Sequence, residues 1–287
     1  MTADRSEQTG LSLDQSDHSY EAFASQPFYK DVDQALLVQA PGGVQRLTDF
    51  ATGTGAIIGQ LNQLGKLESP FVVNAVDIDE NALAIAEAKF TTVLEGGVDQ
   101  INFIQGLVDR RISGIGDSSQ DLVTFCNAIH LIDEPQKALE EAARILKPKG
   151  VLLINSAYVK DVAFPEGTQR IWGMLLMLAR RAVQSDLGLV EIPKPVDLFR
   201  FSEGNFREMA RNVGFEQIET SRYTAEMNRD AVKAICNYED FAEGALPGIN
   251  IECATHALVE AVDPTFDRFK IEFIPRNWMF LIAKKSG

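Results

Sequence analysis

Hydrophobic residues along the chain follow two periods that alternate in a regular order. Short runs rich in valine, isoleucine, leucine and phenylalanine are followed by longer stretches in which apolar residues recur at helical intervals. The short runs predict buried strands, and the longer stretches predict amphipathic helices. Strands are predicted at residues 44–50, 71–76, 101–105, 121–127, 151–155, 215–223 and 276–283. This order predicts an α/β fold: a doubly wound, Rossmann-like, seven-stranded and mostly parallel sheet with a helical cap or lid.

The turn after the first predicted strand consists of small residues. Ala51-Thr-Gly-Thr-Gly55 separates residues 44–50 from an amphipathic run that starts at once. A strand, a small-residue turn and a helix start bring backbone N–H groups against a bound cofactor. A dinucleotide fingerprint, Gly-x-Gly-x-x-Gly, would need its third glycine one residue before Gly59. The turn therefore predicts a cofactor site that departs from the dinucleotide pattern.

Stretches outside the strand–helix alternation divide the chain further. Residues 1–17 are polar and without periodicity, which predicts a disordered N-terminal tail. An aromatic helical segment at residues 18–43 is either a lid over the site or a set of helices packed on the domain. The remaining divisions are a cofactor-binding core at 44–156, a cap insertion at 157–201, and a C-terminal part of the core at 202–287 with a helical insertion at about 229–265.

Composition excludes several classes of function. The net charge of -14 and the pI ≈ 4.7 argue against a nucleic-acid partner, because a phosphate backbone would be repelled. The three cysteines are too few and too widely spaced for a disulfide framework or a zinc site, so no metal is expected. No apolar run approaches the roughly 18 residues of a membrane-spanning helix, and residues 1–10 lack the apolar core of a signal peptide. We therefore expect a cytoplasmic protein without a membrane partner.

Four ordered motifs resemble those of the class I S-adenosylmethionine-dependent methyltransferases. The first is Asp49-Phe-Ala-Thr-Gly-Thr-Gly55, with Ala51 where the family usually has glycine, and the second is Asp77 at the end of the next strand. The third runs from Asp-Leu-Val at residue 121 through His130 to Arg-Ile-Leu-Lys-Pro-Lys-Gly at 144–150. The fourth is the helix-to-strand join at 206–215. The resemblance covers about residues 44–156, 202–224 and the last strand.

The resemblance implies S-adenosylmethionine as cofactor and S-adenosylhomocysteine as product. It assigns the ribose hydroxyls to Asp77, whose ionised carboxylate accepts hydrogen bonds well. Adenine recognition stays open, because Leu107 stands where the family often has aspartate: either Ile78, Val108 and a backbone group hold the base, or Asp109 reaches it. The remaining cofactor-binding candidates are Tyr20, Tyr29, Asp49, Ala51, Gly53 and Asn127.

Catalysis in this family depends mainly on alignment for an in-line methyl displacement, which supplies on the order of 7–11 kcal/mol of the barrier. A base is needed only if the acceptor arrives protonated, and His130 is the best candidate. The alternative is a structural histidine that packs or caps the loop. The expected acceptor is a small, partly apolar molecule of secondary-metabolite type, methylated on oxygen, nitrogen or carbon. The candidate substrate-binding residues are Tyr158, Trp172, Phe199, Arg200, Tyr223 and Tyr238.

Two alternatives from other classes remain open at this point. An NAD(P)-dependent oxidoreductase would share the sheet and the acidic strand end, although the glycine spacing and the preceding helices disfavour it. A non-catalytic cofactor-binding relative would bind the cofactor without turnover. The chain is expected to be a monomer or a homodimer, and RNA methylation is disfavoured by the acidic charge.

Overall fold

The computed structural model describes residues 24–94, 98–188 and 191–287. Tyr20 and the tail predicted at residues 1–17 lie outside these described residues. A seven-stranded sheet has the strand order β3-β2-β1-β4-β5-β7-β6. Its strands are β1 (Val44–Phe50), β2 (Leu67–Asp77), β3 (Gln100–Gln105), β4 (Gln120–Cys126), β5 (Leu146–Ser156), β6 (Phe215–Met227) and β7 (Ile274–Lys285).

Strands β1 to β5 pair in parallel, and β7 runs antiparallel to both of its neighbours. The predicted Rossmann-like, mostly parallel seven-stranded sheet is therefore confirmed. Because β7 is reversed, its first residues lie at the edge where the parallel strands end; Ser156, the last residue of β5, pairs with Met279. This carboxyl edge is where open α/β sheets bind their ligands.

Helices cover both faces of the sheet. They are α1 (Pro27–Leu37), α2 (Ala56–Gln63), α3 (Glu80–Leu94), α4 (Pro135–Ile145), α5 (Gln169–Leu187), α6 (Glu203–Asn212), α7 (Arg229–Asn237), α8 (Glu239–Ala245), α9 (Ile251–Glu260) and α10 (Val262–Phe269). On one face of the sheet, a hydrophobic layer contains residues of α1, α2, α5, α7, α8, α9 and α10; the last five are the cap helices. On the other face, a second hydrophobic layer contains residues of α4 and α6. Among the described residues, no helix is long and apolar enough to span a bilayer.

Two strands, β2 and β5, begin four and five residues earlier than the hydrophobic pattern predicts. Strand β5 starts at Leu146 and passes through Pro148, where the pattern predicts only the end of a helix. The register between β4 and β5 shifts between Gln120 and Leu122, which accommodates these extra residues of β5. Lys147, the second residue of β5, forms an ion pair with Asp121 of β4. Strand β2 likewise includes residues 67–70, which are largely exposed. Polar, exposed strand extensions carry no apolar period, so the sequence pattern misses them.

Candidate cofactor and acceptor site

The turn between β1 and α2 exposes its backbone because its residues adopt left-handed conformations. Ala51, Gly53 and Gly55 have φ angles of 51°, 53° and 81°. A Cβ atom at Gly55 would lie 2.6 Å from Cε2 of Phe90, so packing against α3 also requires glycine there. Ala51 keeps a Cβ in a conformation that costs roughly 1–2 kcal/mol for an L-residue. The turn thus leads into the N-terminus of α2 with little side-chain cover over the main chain.

Asp77 ties the end of β2 to this turn. Its Oδ2 atom accepts a hydrogen bond of 2.7 Å from the backbone N–H of Gly53, and its Oδ1 atom accepts one of 2.9 Å from the N–H of Asp79. Each carboxylate oxygen has a second acceptor site. Asp77 is therefore held in position by the backbone and retains capacity for two hydroxyl donors.

Asp49 lies beneath the turn and is almost fully buried. Its carboxylate accepts hydrogen bonds from the hydroxyls of Thr124 at 2.6 Å and Thr52 at 2.7 Å. Burial raises the pKa of Asp49 to about 7, although the hydrogen bonds from the two hydroxyls lower it in part. These hydrogen bonds connect the turn to β4, and the cofactor-binding role of Asp49 stays a prediction.

The loop after β3 lies beside Asp77, since the N–H of Gly106 donates to the Asp77 carbonyl at 2.8 Å. Ile78 and Leu107 are exposed, and Val108 is buried. One oxygen of Asp109, Oδ1, is buried and has no hydrogen-bond partner among the described residues. An unpaired buried acceptor costs about 1–3 kcal/mol, so Asp109 is the polar group in this loop that a ligand donor would satisfy.

Asn127, the first residue after β4, is the centre of a buried hydrogen-bond network. It adopts a left-handed φ of 55°, and its N–H donates to Oδ1 of Asn155 at 2.7 Å. Its side-chain oxygen accepts from Nε1 of Trp278 at 2.7 Å, and its amide donates to Oδ1 of Asp33 at 3.0 Å. The network connects α1, β4, β5 and β7 at the carboxyl edge of the sheet.

Asp33 is a site residue that the sequence analysis missed. It is buried on the apolar face of α1, and its Oδ1 atom also accepts from Nδ2 of Asn155 at 2.8 Å. Burial raises its pKa to about 7, although hydrogen bonds from Asn155 and Asn127 act in the opposite direction. The sequence did contain one sign of a buried role for Asp33. It lies four residues after Tyr29 and three before Leu36, and this helical spacing places it on the apolar face of α1.

His130 lies in the short 3₁₀ turn Ile129–Leu131 that follows β4. Its Nδ1 atom is 3.1 Å from the hydroxyl of Ser156, and its ring stacks on Tyr158 with 4.3 Å between centroids. Burial, followed by the charges of Arg276 and Arg200, lowers the pKa of His130 to about 3. The ring is therefore neutral near pH 7.

Arg276, near the start of β7, is a second residue that the sequence analysis missed. Its guanidinium carbon lies 4.4 to 5.7 Å from the centroids of four aromatic rings. These rings belong to Tyr158, Phe164, Trp172 and Phe199. Burial lowers the pKa of Arg276 to about 10, so the side chain stays protonated at neutral pH. The available signal was a charged residue at the start of an otherwise apolar closing strand.

Three predicted substrate-binding residues, Tyr158, Trp172 and Phe199, come together around Arg276. Arg200 has a different environment: it donates to the carbonyl oxygens of His130 at 3.1 Å and Ile132 at 2.6 Å. It therefore positions the loop that carries His130.

The other predicted aromatic residues lie further from this cluster. Tyr223 stacks on Phe280 with 6.0 Å between centroids, and the Tyr238 hydroxyl donates to Asp240 at the surface of the cap. Tyr29 is buried in α1 and packs edge-to-face on Phe28. Phe28 in turn lies 6.2 Å from the ring of Trp278, beside the Asn127 network.

Two shallow surface depressions, of about 410 and 350 Å³, occur far from this chemistry. Both include Lys285, the last residue of β7, and therefore lie at the opposite edge of the sheet. Hydrogen-bonding capacity and perturbed pKa values, rather than concavity, identify the carboxyl edge as the functional site. Within the described ranges, no cluster of histidine, cysteine and acidic residues could hold a metal ion.

Comparisons with known proteins bear on the family of the chain. Residues 48–154 match the family described as "Methyltransferase domain". A Geobacillus sp. (strain WCH70) protein assigned by name to the methyltransferases is 34% identical over 130 residues, covering 43% of this chain. The matched region spans about half of that relative, 48% of its length. The demethylmenaquinone methyltransferase of Protochlamydia amoebophila (strain UWE25) is 25% identical over 65% of this chain and 75% of its own length.

The fold also occurs in solved methyltransferase structures. Phosphoethanolamine N-methyltransferase 2 of Haemonchus contortus, in complex with S-adenosyl-L-methionine, superposes with a TM-score of 0.56 at 19% identity, over 93% of this chain and 56% of that one. The predicted family and cofactor are confirmed by the domain match together with the motifs. The chain thus carries, at residues 48–154, a methyltransferase domain, and its fold is that of S-adenosylmethionine-dependent methyltransferases.

Proposed function

We propose that this protein transfers a methyl group from S-adenosylmethionine to a small, partly apolar acceptor enclosed between the carboxyl edge of the sheet and the cap. The observation that carries the proposal is the pairing of two sites at one edge. A backbone turn held by Asp77 lies on one side, and an aromatic cluster around His130 and Tyr158 lies on the other. Relatives named demethylmenaquinone methyltransferase support a small-molecule acceptor.

The residues of the cofactor half have separate roles in this proposal. Asp77 accepts hydrogen bonds from the ribose hydroxyls, and Oδ1 of Asp109 accepts one from the adenine amino group. Asp33, held by Asn127 and Asn155, provides negative charge near the methionine end. When bound, the cofactor supplies a sulfonium that makes its methyl group electrophilic.

The acceptor half aligns the nucleophile and excludes water. The buried ring of Trp172 and the half-buried rings beside it limit solvent access to the reacting atoms, and Ser156 and Tyr158 fix the ring of His130. Neutral His130 can accept a proton, but a pKa of about 3 makes it a weak base before the acceptor binds. Alignment of an acceptor with a free lone pair is therefore the main contribution of this half.

Calorimetric titration with S-adenosylmethionine and S-adenosylhomocysteine tests the cofactor half. We expect one site with a Kd of roughly micromolar order for both compounds, and no saturation by NADH. The release of S-adenosylhomocysteine in the presence of quinols, phenols and amines then tests transfer. Binding weaker than about millimolar for both compounds would refute the proposal. Tight binding without turnover on any acceptor would favour a non-catalytic relative.

A further inference from the structure

Arg276 is buried and has no acidic partner among the described residues. Only 7% of the residue is exposed, and its one hydrogen bond to the described residues runs from Nη2 to the carbonyl oxygen of Ala157 at 2.8 Å. A guanidinium carries five N–H donors in a planar fork. Most of its hydrogen-bonding capacity is therefore unused, and its charge is not neutralised by any carboxylate in the part of the chain that the structure describes.

Two other arginines of the described chain that pack among neighbouring side chains have carboxylate partners. Arg229 lies over the ring of Phe266 at 5.1 Å, much as Arg276 lies over its rings, but it pairs with Asp263 at 3.2 Å and Asp267 at 2.6 Å. Arg144 pairs with Glu141 and Asp117. Arg276 therefore differs from the ring-stacked Arg229 in that no described carboxylate neutralises its charge.

Trp172 adds a second unused donor to the same cluster. Its Nε1 atom is buried and has no hydrogen-bond partner among the described residues, and its ring centroid lies 5.7 Å from the guanidinium carbon of Arg276. A buried N–H without an acceptor costs about 1–3 kcal/mol. Unused donors on two neighbouring buried side chains of the described chain indicate a missing acceptor group that both would contact.

The cluster is adjacent to the methyl-transfer loop. Tyr158 lies between the two, because its ring stacks on His130 at 4.3 Å and also lies 5.1 Å from the guanidinium carbon of Arg276. The ring of Tyr158 therefore contacts both Arg276 and His130.

We propose that the methyl acceptor carries an anionic oxygen group, a carboxylate or a phosphate, which Arg276 and Nε1 of Trp172 bind. This inference rests on the proposed function and specifies its substrate class. The planar fork of arginine suits both anions through paired hydrogen bonds. The aromatic rings hold the apolar body of the acceptor, and the anion fixes which of its atoms faces the methyl group. Bound anion would also offset one of the two charges that lower the pKa of His130.

The test compares benzoate, phenyl phosphate and neutral benzamide as probes of the full-length protein saturated with S-adenosylhomocysteine. Nitrogen–proton correlation spectra report on the indole N–H groups of the two tryptophans, which Trp172→Phe assigns. We expect the Trp172 N–H resonance to move downfield with either benzoate or phenyl phosphate, and the larger response identifies the preferred anion. At least one anion should bind about tenfold more tightly than benzamide.

Three variants separate this role from a structural one. Arg276→Met should abolish the preference for the anion, and Arg276→Lys should retain part of it because the charge remains. Arg229→Met is the matched control, since it removes a ring-stacked arginine of the cap that has its own acidic partners, and it should leave the preference unchanged.

The outcomes distinguish the inference from the proposed function. Equal affinity for the anions and benzamide, no shift of the Trp172 N–H with either anion, or a preference that survives in Arg276→Met would each overturn the inference. A lower melting temperature of Arg276→Met with an unchanged preference would show that Arg276 only stabilises the cap. Failure to bind S-adenosylhomocysteine in the first step would instead refute the proposed function.

Discussion

The cofactor half and the acceptor half of the site are built in different ways. In the cofactor half, Asp49 and Asp77 lie at the carboxyl ends of β1 and β2 and accept hydrogen bonds from the turn between β1 and α2. In the acceptor half, the side chains around Arg276 come from segments more than a hundred residues apart in the chain, between Tyr158 and β7. The first half is polar and defined by main-chain geometry, whereas the second is apolar and defined by side-chain packing.

This difference determines how each half tolerates substitution. A site made from main-chain groups depends on φ angles and on the absence of Cβ atoms, so small changes at glycine positions affect it directly. A site made from packed rings tolerates exchange of apolar residues of similar volume, but it does not tolerate loss of the charge that orients the ligand. The same α/β framework can therefore keep its cofactor while its acceptor changes.

The largest expected effect is on cofactor affinity when Asp77 is replaced. Asp77→Ala removes two charge-assisted hydrogen bonds to ribose, each worth about 1.5–3 kcal/mol, so the Kd for S-adenosylhomocysteine should rise at least about a hundredfold. Titration calorimetry measures this change. Asp79→Ala is the control, because Asp79 only caps the start of α3 through Asn81 and should leave the Kd unchanged. Unchanged affinity in Asp77→Ala would remove Asp77 from the ribose role.

A second prediction tests the main-chain character of the cofactor half. Gly55→Ala places a Cβ 2.6 Å from Phe90 at a φ of 81°, and should lower the free energy of unfolding by about 2 kcal/mol. Gly59 lies inside α2, and a Cβ atom at this position would meet nothing within 4 Å. Gly59→Ala is therefore the matched control. It should raise the free energy of unfolding by about 0.5–1 kcal/mol. Chemical denaturation measures both, and equal effects would contradict the assigned geometry.

A third and smaller effect concerns Asp33 and pH. Its folded-state pKa of about 7 lies above the ordinary 3.8, so folded protein holds this proton more tightly than unfolded protein does. The stabilisation from this group is fully present below about pH 3.8 and is lost as the pH rises through about 7. Asp33→Asn keeps an oxygen that accepts from the side-chain amides of Asn127 and Asn155. When the free energy of unfolding is measured against pH, this variant should show a smaller decrease between about pH 3.8 and 7 than the parent protein.

Cofactor binding gives a second measurement of the same group. A bound sulfonium and ammonium would favour the ionised carboxylate, so binding should release protons between about pH 5 and 7. Calorimetry in buffers of different ionisation enthalpy counts these protons. Asp33→Asn should release about one proton fewer than the parent protein, with Asp49 still contributing. The same count in both proteins would place Asp33 away from the cofactor.

Much of the cofactor half could be predicted because its signals are local. The glycine turn, Asp49 and Asp77 each lie at the end of a strand whose apolar run is visible, and the parallel topology brings strand ends to one edge. Asp33 and Arg276 were not predicted, since a single charged residue in an apolar helix or strand does not reveal its partners. Arg200 was named as a substrate residue, and that role remains a prediction, while its hydrogen bonds show that it holds the loop around His130.

By itself, the sequence determined the order of strands and helices, the family and the cofactor, because these depend on hydrophobic periods and short motifs read along the chain. Only the tertiary structure decided which side chains meet at the acceptor half. There the reversed direction of β7 carries Arg276 to the carboxyl edge, and α1 brings Asp33 to the ends of β4 and β5. Contacts between distant segments arise from the packing of whole elements, which fixes positions that no local pattern records.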